Sequence, residues 1–413
     1  MRISGVICEC NPPHGGHRYL LERAGADGGA TVAVMSGWLT QRGEPAVLAP
    51  RVRAAMLLSM GADAVFDLPF PYAAGAGESF AAAGVSMLER LGADELWFGS
   101  ECGDMEKLRA AEAISGTPEF LAAYRDAARS GEGTAAAYAA LLRESMGGDA
   151  PLAPNDLLAV SYLRALNRSG SRMTPRTVRR QGDAFHAQDV RSAAFPSATA
   201  LRGLLRAGGA DAVRDFYPPE QLARIRAEVA AGRAPADGSR LDAVFLAWLR
   251  MAEESEAERV PEWGGGIGRR LTAVAREADS FDAVLRLAGV RCPRARLRRG
   301  MLYALTRVTA ADLQTPPACA VLLAANRTGC AFLAERRRTG NIPIVTKRSD
   351  VPQTAAATRQ LRLTERAAAL WTLALPHPVP PAPLLRQSAY GLFHSVVCRY
   401  FVFGDGKSYP CRG

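Results

Sequence analysis

Ile3-Ser4-Gly5-Val6-Ile7-Cys8-Glu9-Cys10-Asn11-Pro12-Pro13-His14-Gly15-Gly16-His17 stands two residues into the chain. Ile3 to Cys8 is a short apolar run ended by a turn at Asn11-Pro12-Pro13, and helical periodicity begins by His17 and runs to Ala24. The order is strand, turn, helix. Two imidazoles three residues apart at a helix start can face one anion together. The glycines allow close approach of a phosphate chain to the backbone. The helix start adds unpaired N–H groups and the positive end of the macrodipole. Together these suit charge developing on an α-phosphate during nucleotidyl transfer. The competing reading is a plain glycine turn with two exposed histidines. The stretch is neither a P-loop nor an H-E-x-x-H zinc site.

The pattern continues outward. Ala30 to Met35, Ala64 to Leu68 and Leu96 to Phe98 read as further buried strands. Helical segments His17 to Ala24, Pro50 to Met60 and Ser79 to Leu91 separate them. Strands alternating with helices at this spacing imply an α/β fold with a parallel sheet. Such a sheet places its ligand beyond the carboxyl ends of its strands, where Glu9-Cys10-Asn11, Ser36-Gly37 and Gly99-Ser100-Glu101 fall. Met105 to Ser145 reads as two helices, Pro151 to Leu166 as another, and Arg176 to Arg180 as a strand before a loop. Beyond Leu201 the period is helical: Leu201 to Leu205, Pro219 to Ala230, Leu241 to Glu254, Leu271 to Leu287, Arg296 to Thr309 and Leu363 to Leu375. Ala318 to Asn326 fits strand or helix, and Ile342 to Thr346 a strand. The proline-rich stretch 376–383 reads as a linker or surface loop.

At 413 residues the chain has material for more than one domain. The formal net charge is +10, and three of its 51 basic residues are lysines, Lys107, Lys347 and Lys407. The charge is uneven: net −3 over residues 1–100, zero over 101–200 and +13 over 201–413, with +14 in 291–413 alone. An arginine surplus of this kind suggests a polyanionic partner for the C-terminal part. No uncharged apolar stretch approaches the roughly 18 residues of a membrane span, and the N-terminal apolar run is too short for a signal peptide. The expectation is a soluble, cytoplasmic protein. Eight cysteines make no disulfide framework. Cys8 and Cys10 lack the partner pair of a zinc site, so no metal site is expected.

A second motif lies far downstream: Pro196-Ser197-Ala198-Thr199-Ala200-Leu201-Arg202. Small hydroxyl residues followed by arginine at a helix start can bind outer phosphates. An ordinary helix cap with a surface arginine gives the same pattern.

The two elements together resemble the HIGH-type nucleotidyltransferase superfamily. The match is closer still to its bacterial tRNA(Met) cytidine acetate ligases, through Val34-Met35-Ser36-Gly37, Gln41-Arg42-Gly43-Glu44-Pro45-Ala46, Asp67-Leu68-Pro69, Phe98-Gly99-Ser100-Glu101, Pro154-Asn155-Asp156 and 341–347. The resemblance implies a Rossmann-like nucleotidyltransferase domain over residues 1–205 and a mostly helical, tRNA-binding region over 206–413. It implies activation of acetate with ATP, magnesium being expected with the nucleotide. The acetyl group would then pass to N4 of the wobble cytidine of elongator tRNA(Met). The implied ATP site is Ile7, Cys8, Glu9, Cys10, Asn11, Pro12, Pro13, His14, Gly15, Gly16, His17, Arg18, Tyr19 and Leu20, with Gly99, Asn155 and Arg180. His14 and His17 would act on the α-phosphate, and Ser197, Thr199 and Arg202 on the outer ones. Gly99 would let adenosine approach the backbone, and a slip of one residue would exchange Arg180 for Arg179. The chain departs from the family at Cys10, Pro13 and Gly15, where an aromatic residue, an aromatic residue and asparagine are usual.

A large RNA must reach the adenylate. Arg296, Arg298 and Arg299, with no acid beside them in sequence, are candidates for phosphate contacts. Arg336 to Arg338 fit a solvated helix face equally well. Tyr390, Phe393, Tyr400 and Phe401 suit base stacking or a core. Two other readings compete: a small-molecule adenylyl- or cytidylyltransferase, which leaves the basic C-terminal part unexplained, and a non-catalytic RNA-binding protein, against which both histidines argue.

Overall fold

The structure is a computed structural model, and it describes residues 1–129, 134–180, 196–289 and 293–386. Its N-terminal elements are β1 (Ile3–Cys8), α1 (Gly15–Ala24), β2 (Ala30–Ser36), α2 (Pro50–Leu58), β3 (Ala64–Leu68), α3 (Gly77–Arg90) and β4 (Glu95–Ser100). Three helices follow, α4 (Met105–Ser115), α5 (Pro118–Arg129) and α6 (Thr134–Ser145), where the sequence suggested two. The extra break falls at Gly116-Thr117-Pro118, and proline at a first helical position starts a new helix readily. Then come α7 (Pro154–Ser169), β5 (Thr174–Arg179) and α8 (Ala198–Gly208).

The sheet order is β5-β4-β1-β2-β3-β6-β7, where β6 is Ala320–Ala325 and β7 is Ile344–Val345. β1 to β5 run parallel, and β6 is antiparallel to β3. The α/β fold read from the sequence is therefore present, and the ambiguous stretch around Ala320 is a strand. The C-terminal part completes the same sheet with these two strands. β1, at the centre, is buried along its whole length, which is why it reads as a continuous apolar run. Chain order proceeds from β1 to β2 and β3 on one side and to β4 and β5 on the other. The crevice between the ends of β1 and β4 is thus the topological switch point.

Two glycines bring α3 hard against β1. A side chain at Gly84 would meet Ile7 at 2.7 Å, and one at Gly5 would meet Leu88 at 2.7 Å. This close packing sets α3 and its neighbour α7 beside the crevice.

The rest of the chain is helical: α9 (Pro219–Ala230), α10 (Asp242–Met251), α11 (Glu254–Glu258), α12 (Ile267–Val274), α13 (Phe281–Leu287), α14 (Arg294–Thr306) and α15 (Ala310–Gln314) before β6, then α16 (Arg327–Thr339), α17 (Ala355–Leu373) and α18 (Pro381–Arg386). The long helix expected over Leu271 to Leu287 is two, because Ser280 caps a fresh start by accepting Ala283 N–H. Leu241 to Glu254 is likewise broken after Met251. Part of the proline-rich stretch is helical after all, α18 starting at Pro381, where a missing N–H costs nothing. The loop expected after Arg180 and the aromatics from Tyr390 onward lie outside the described residues.

The C-terminal helices share one core with the loops at the carboxyl end of the sheet. Trp38, Phe70 and Ala74 pack with Trp263, Tyr303 and Trp371. Trp371 donates its indole N–H to Ala46 O at 2.6 Å, and Tyr303 donates its hydroxyl to Ala74 O at 3.2 Å. Among the described residues no helix is long and apolar enough to cross a membrane.

Candidate nucleotide site

A cavity of about 470 Å³ opens at the switch point. Ile7, Cys8 and Glu9 from the end of β1 and Phe98 and Gly99 from β4 form its base, and α3, α7 and the Gln41–Arg42 turn its walls. His17, Leu20, Asn155 and Arg180 from the sequence reading also line it.

The helix start is built on its own histidines. His14 is the N-cap of α1, and its Nδ1 accepts Gly16 N–H at 3.1 Å. His17 Nδ1 accepts the backbone N–H of His14 at 3.2 Å. This is a capping box made from imidazoles. A neutral imidazole has one donor and one acceptor nitrogen, so both rings carry their proton on Nε2. Burial keeps them neutral: it lowers His14 to about 3 and His17 well below its usual value, with Arg180 contributing to both. The rings lie 4.0 Å apart. A pair of uncharged N–H donors is suited to an anion already accompanied by cations.

The turn before them is tightly held. Asn11 Oδ1 accepts Val47 N–H at 2.7 Å, and Pro13 O accepts the Tyr217 hydroxyl at 2.8 Å. Cys10 and Pro12 are buried. Arg53, fully buried, donates to Leu48 O at 3.0 Å, Glu9 O at 2.9 Å and the Gly37 carbonyl. Gly15 and Gly16 form the first turn of α1. A side chain at Gly16 would fall 2.9 Å from the His14 ring, so glycine there is required by the cap. Of the Ile7–Leu20 segment, Cys10 to Gly16 with His14 among them, Arg18 and Tyr19 lie outside the cavity lining, the Tyr19 ring taking Arg23 at 5.3 Å.

The far wall is organised by Glu101. Its carboxylate accepts Asn155 Nδ2–H at 2.6 Å and the backbone N–H groups of Asn155 and Asp156 at 3.1 Å each. Arg180 lies 3.8 Å from the same carboxylate. The helix N-cap is Ala153, and Asn155 stands in the first turn of α7. A side chain at Gly99 would meet Arg180 Cγ at 3.2 Å, and Arg179 packs against Gly103 instead. Arg180 lines the cavity and Arg179 does not.

The second motif arrives differently from the expectation. Ser197 caps α8, accepting Ala200 N–H. Arg202 is 4% exposed and donates to Asn11 O at 2.8 Å and Thr199 Oγ at 3.1 Å, beside the Glu9 carboxylate. None of the three lines the cavity. The group that reaches it from this side is Arg42, whose guanidinium donates to Thr199 Oγ at 3.3 Å.

Arg296, Arg298 and Arg299, unbalanced in the local sequence, are paired in the fold. Acids remote in sequence balance all three. Arg299 donates to both Glu262 oxygens, at 3.3 and 3.0 Å, and Arg296 Nε lies 3.6 Å from the same carboxylate. Arg298 bridges Glu44 at 2.6 Å and Asp282 at 3.0 Å. Arg299 also lines the switch-point cavity. Arg299 was expected at RNA phosphates and not in this cavity, and the sequence reading assigned no place in it to Gln41 and Arg42 or to Phe80, Leu158 and Tyr162. The last three sit at helical spacing, where a cavity wall and a core look alike.

The described lining holds one carboxylate, Glu9, and it accepts Gln41 N–H at 3.1 Å. That is no cage for a divalent cation, and no group of three or more potential metal ligands occurs among the described residues.

A family model described as HIGH Nucleotidyl Transferase matches residues 1–381. A tRNA(Met) cytidine acetate ligase of Syntrophotalea carbinolica is 36% identical, with 85% of this chain and 86% of that protein covered. One from Bacillus velezensis is 32% identical, with 84% and 88% covered. The fold matches a crystal structure of Thermotoga maritima TmcAL bound with α-thio ATP, at 27% identity and a TM-score of 0.82 over 91% of this chain and 95% of that one. The apo form of the same protein gives 0.84, at 26% identity, over 96% and 98%.

Proposed function

The chain belongs to the HIGH nucleotidyl transferases and, within them, to the tRNA(Met) cytidine acetate ligases, and from that membership we propose that its switch-point cavity makes acetyl-adenylate from acetate and ATP for transfer to a tRNA cytidine. The observation that carries this reading is the imidazole capping box at the mouth of β1.

In the first step an acetate oxygen attacks the α-phosphorus of ATP and pyrophosphate leaves. Charge grows on the α-phosphate oxygens and on the departing bridge oxygen. The Nε2–H groups of His14 and His17 and the start of α1 would meet that charge without a change of protonation state. Asn155, ordered by Glu101, and Gly99 would accept the adenosine, and Arg180 would close over it. In the second step the cytidine N4 attacks the acetyl carbon, AMP leaves, and the amine loses a proton. Magnesium would enter with the ATP phosphates and not through a carboxylate cage of the protein. The target would be elongator tRNA(Met), with the arginine-rich C-terminal part supporting contact with its phosphates. A cytoplasmic location suits these substrates.

The test is exchange of labelled pyrophosphate into ATP. It should require acetate and disappear in His17→Ala. Nucleoside mass spectrometry of bulk tRNA, with and without the gene, should show N4-acetylcytidine only when the gene is present.

A further inference from the structure

The Gln41-Arg42-Gly43-Glu44 turn is the part of the sequence that the reaction above leaves without work. It is held from three sides. Gln41 N–H donates to Glu9 Oε2 at 3.1 Å, tying the turn to the end of β1. Internally, Thr40 N–H donates to Glu44 O at 3.0 Å and Gly43 N–H to Thr40 O at 2.9 Å. From the helical region, Arg298 bonds Glu44 at 2.6 Å and Arg299 donates to Gln41 O at 3.4 Å.

Gly43 is where turn and helix touch. Its φ is +72°, and a side chain there would fall 2.6 Å from Arg298 Cβ and 2.8 Å from Arg299 N. Arg298 and Arg299 are in turn fixed by Asp282 and Glu262. Helix α14 therefore grips the turn with two neutralised arginines. The residue presented between the gripped positions is Arg42, which lines the nucleotide cavity beside Thr199. Arg202, which the sequence offered for outer phosphates, is buried against Asn11 O instead.

We propose that Arg42 contacts the outer phosphates of ATP, and the pyrophosphate that leaves, while Arg298 and Arg299 are positioning residues that hold it there. This rests on the nucleotide reading of the cavity. A guanidinium matches a polyphosphate bidentately and stabilises the charge that collects on the leaving group. The clamp also places a helix of the C-terminal region in direct contact with the adenylate-forming site.

Equilibrium binding of ATP and of AMP separates the roles. Arg42→Ala should weaken ATP by about 10- to 100-fold, the range for one charged hydrogen bond, and leave AMP binding intact, which also shows that the variant is folded. Arg42→Lys should restore part of the loss. Arg298→Ala should reproduce the ATP-selective loss and add little to it in the Arg42→Ala background, because both act through one contact. Equal losses for ATP and AMP, or no loss, would overturn the Arg42 assignment. A fall in tRNA affinity with a flatter salt dependence and an unchanged ATP-to-AMP ratio in Arg298→Ala would overturn the clamp. Neither measurement uses acetate, so failure of acetate-dependent exchange in the unaltered protein would count against the ligase reading alone.

Discussion

His17 Nδ1 accepts the backbone N–H of His14, and the His14 ring in turn caps the helix that carries His17. Each imidazole thereby fixes a tautomer while serving the backbone. The Nε2–H groups come without positive charge, because burial holds both rings below their usual titration range. The acetate-dependent exchange should consequently show no inflection from these rings between about pH 6 and 8, whereas an unperturbed histidine would titrate near 6.5.

The same shift has a stability consequence. A His with a depressed folded pKa leaves the unfolded chain binding more protons below about pH 6.5, so stability falls as pH drops from there toward the folded value. For His14 that value is about 3. His14→Asn keeps a good N-cap residue but removes the titration. Urea unfolding from pH 7.5 to 4.5 should show the unaltered protein losing more stability than His14→Asn. A gap constant with pH would contradict the assignment.

The Glu101–Asn155 pair gives a sharper test of the far wall. Asn155→Asp sets a carboxylate where the amide now donates to Glu101 at 2.6 Å. Like charges at that range are unfavourable even at an effective surface dielectric. ATP affinity should drop by roughly tenfold or more, a loss on the scale of one charged hydrogen bond. Adding Glu101→Gln should recover part of it, since the repulsion goes. Unchanged ATP binding by Asn155→Asp in calorimetry would remove this pair from the nucleotide site.

Much of this was legible because the site sits where local patterns speak. β1 and β3 were read from Ile3 to Cys8 and Ala64 to Leu68, the bounds they have. The histidine motif and the β4 end fell at strand termini, where polar residues have no core role. The remainder was hidden by distance. Glu262 lies 37 residues from Arg299, and Glu44 lies 254 from Arg298, so the arginines looked unbalanced in a one-dimensional charge count. Arg202 fitted either an outer-phosphate ligand or a surface arginine, but it is buried with the Asn11 carbonyl, 191 residues away, as a partner.

Arg53 shows how the fold supports that turn. Its guanidinium is fully buried and bonds Leu48 O, Glu9 O and the Gly37 carbonyl, with Cys10 O at 3.5 Å. Burial lowers it to about 10, which still leaves it charged at neutral pH. Arg53→Met would strand these carbonyls and leave Asp67 and Glu9 without a cation that favours their ionised forms. Removing one member of a buried charged network costs about 3–5 kcal/mol, and Arg53→Lys should recover little because an ammonium cannot span the same carbonyls. Urea denaturation measures both; a loss below about 1 kcal/mol for Arg53→Met, the scale of one ordinary hydrogen bond, would show that the carbonyls find other donors.

Asp67 faces that guanidinium from β3. Its Oδ1 has no hydrogen-bond donor among the described residues and lies so close to Gly37 that a side chain there would sit 2.4 Å away. Burial raises its carboxyl to about 7, in spite of Arg53 and Arg51. Between about pH 4 and 7 the folded chain therefore holds a proton that the unfolded chain has released, and stability from this group falls as pH rises through that window. Asp67→Asn removes the titration and keeps the shape. Its stability relative to the unaltered protein should climb from about pH 4 to 7 and level off above. A difference that is flat across this range, or that falls with rising pH, would mean that the carboxyl is ionised in the fold and held by the two arginines.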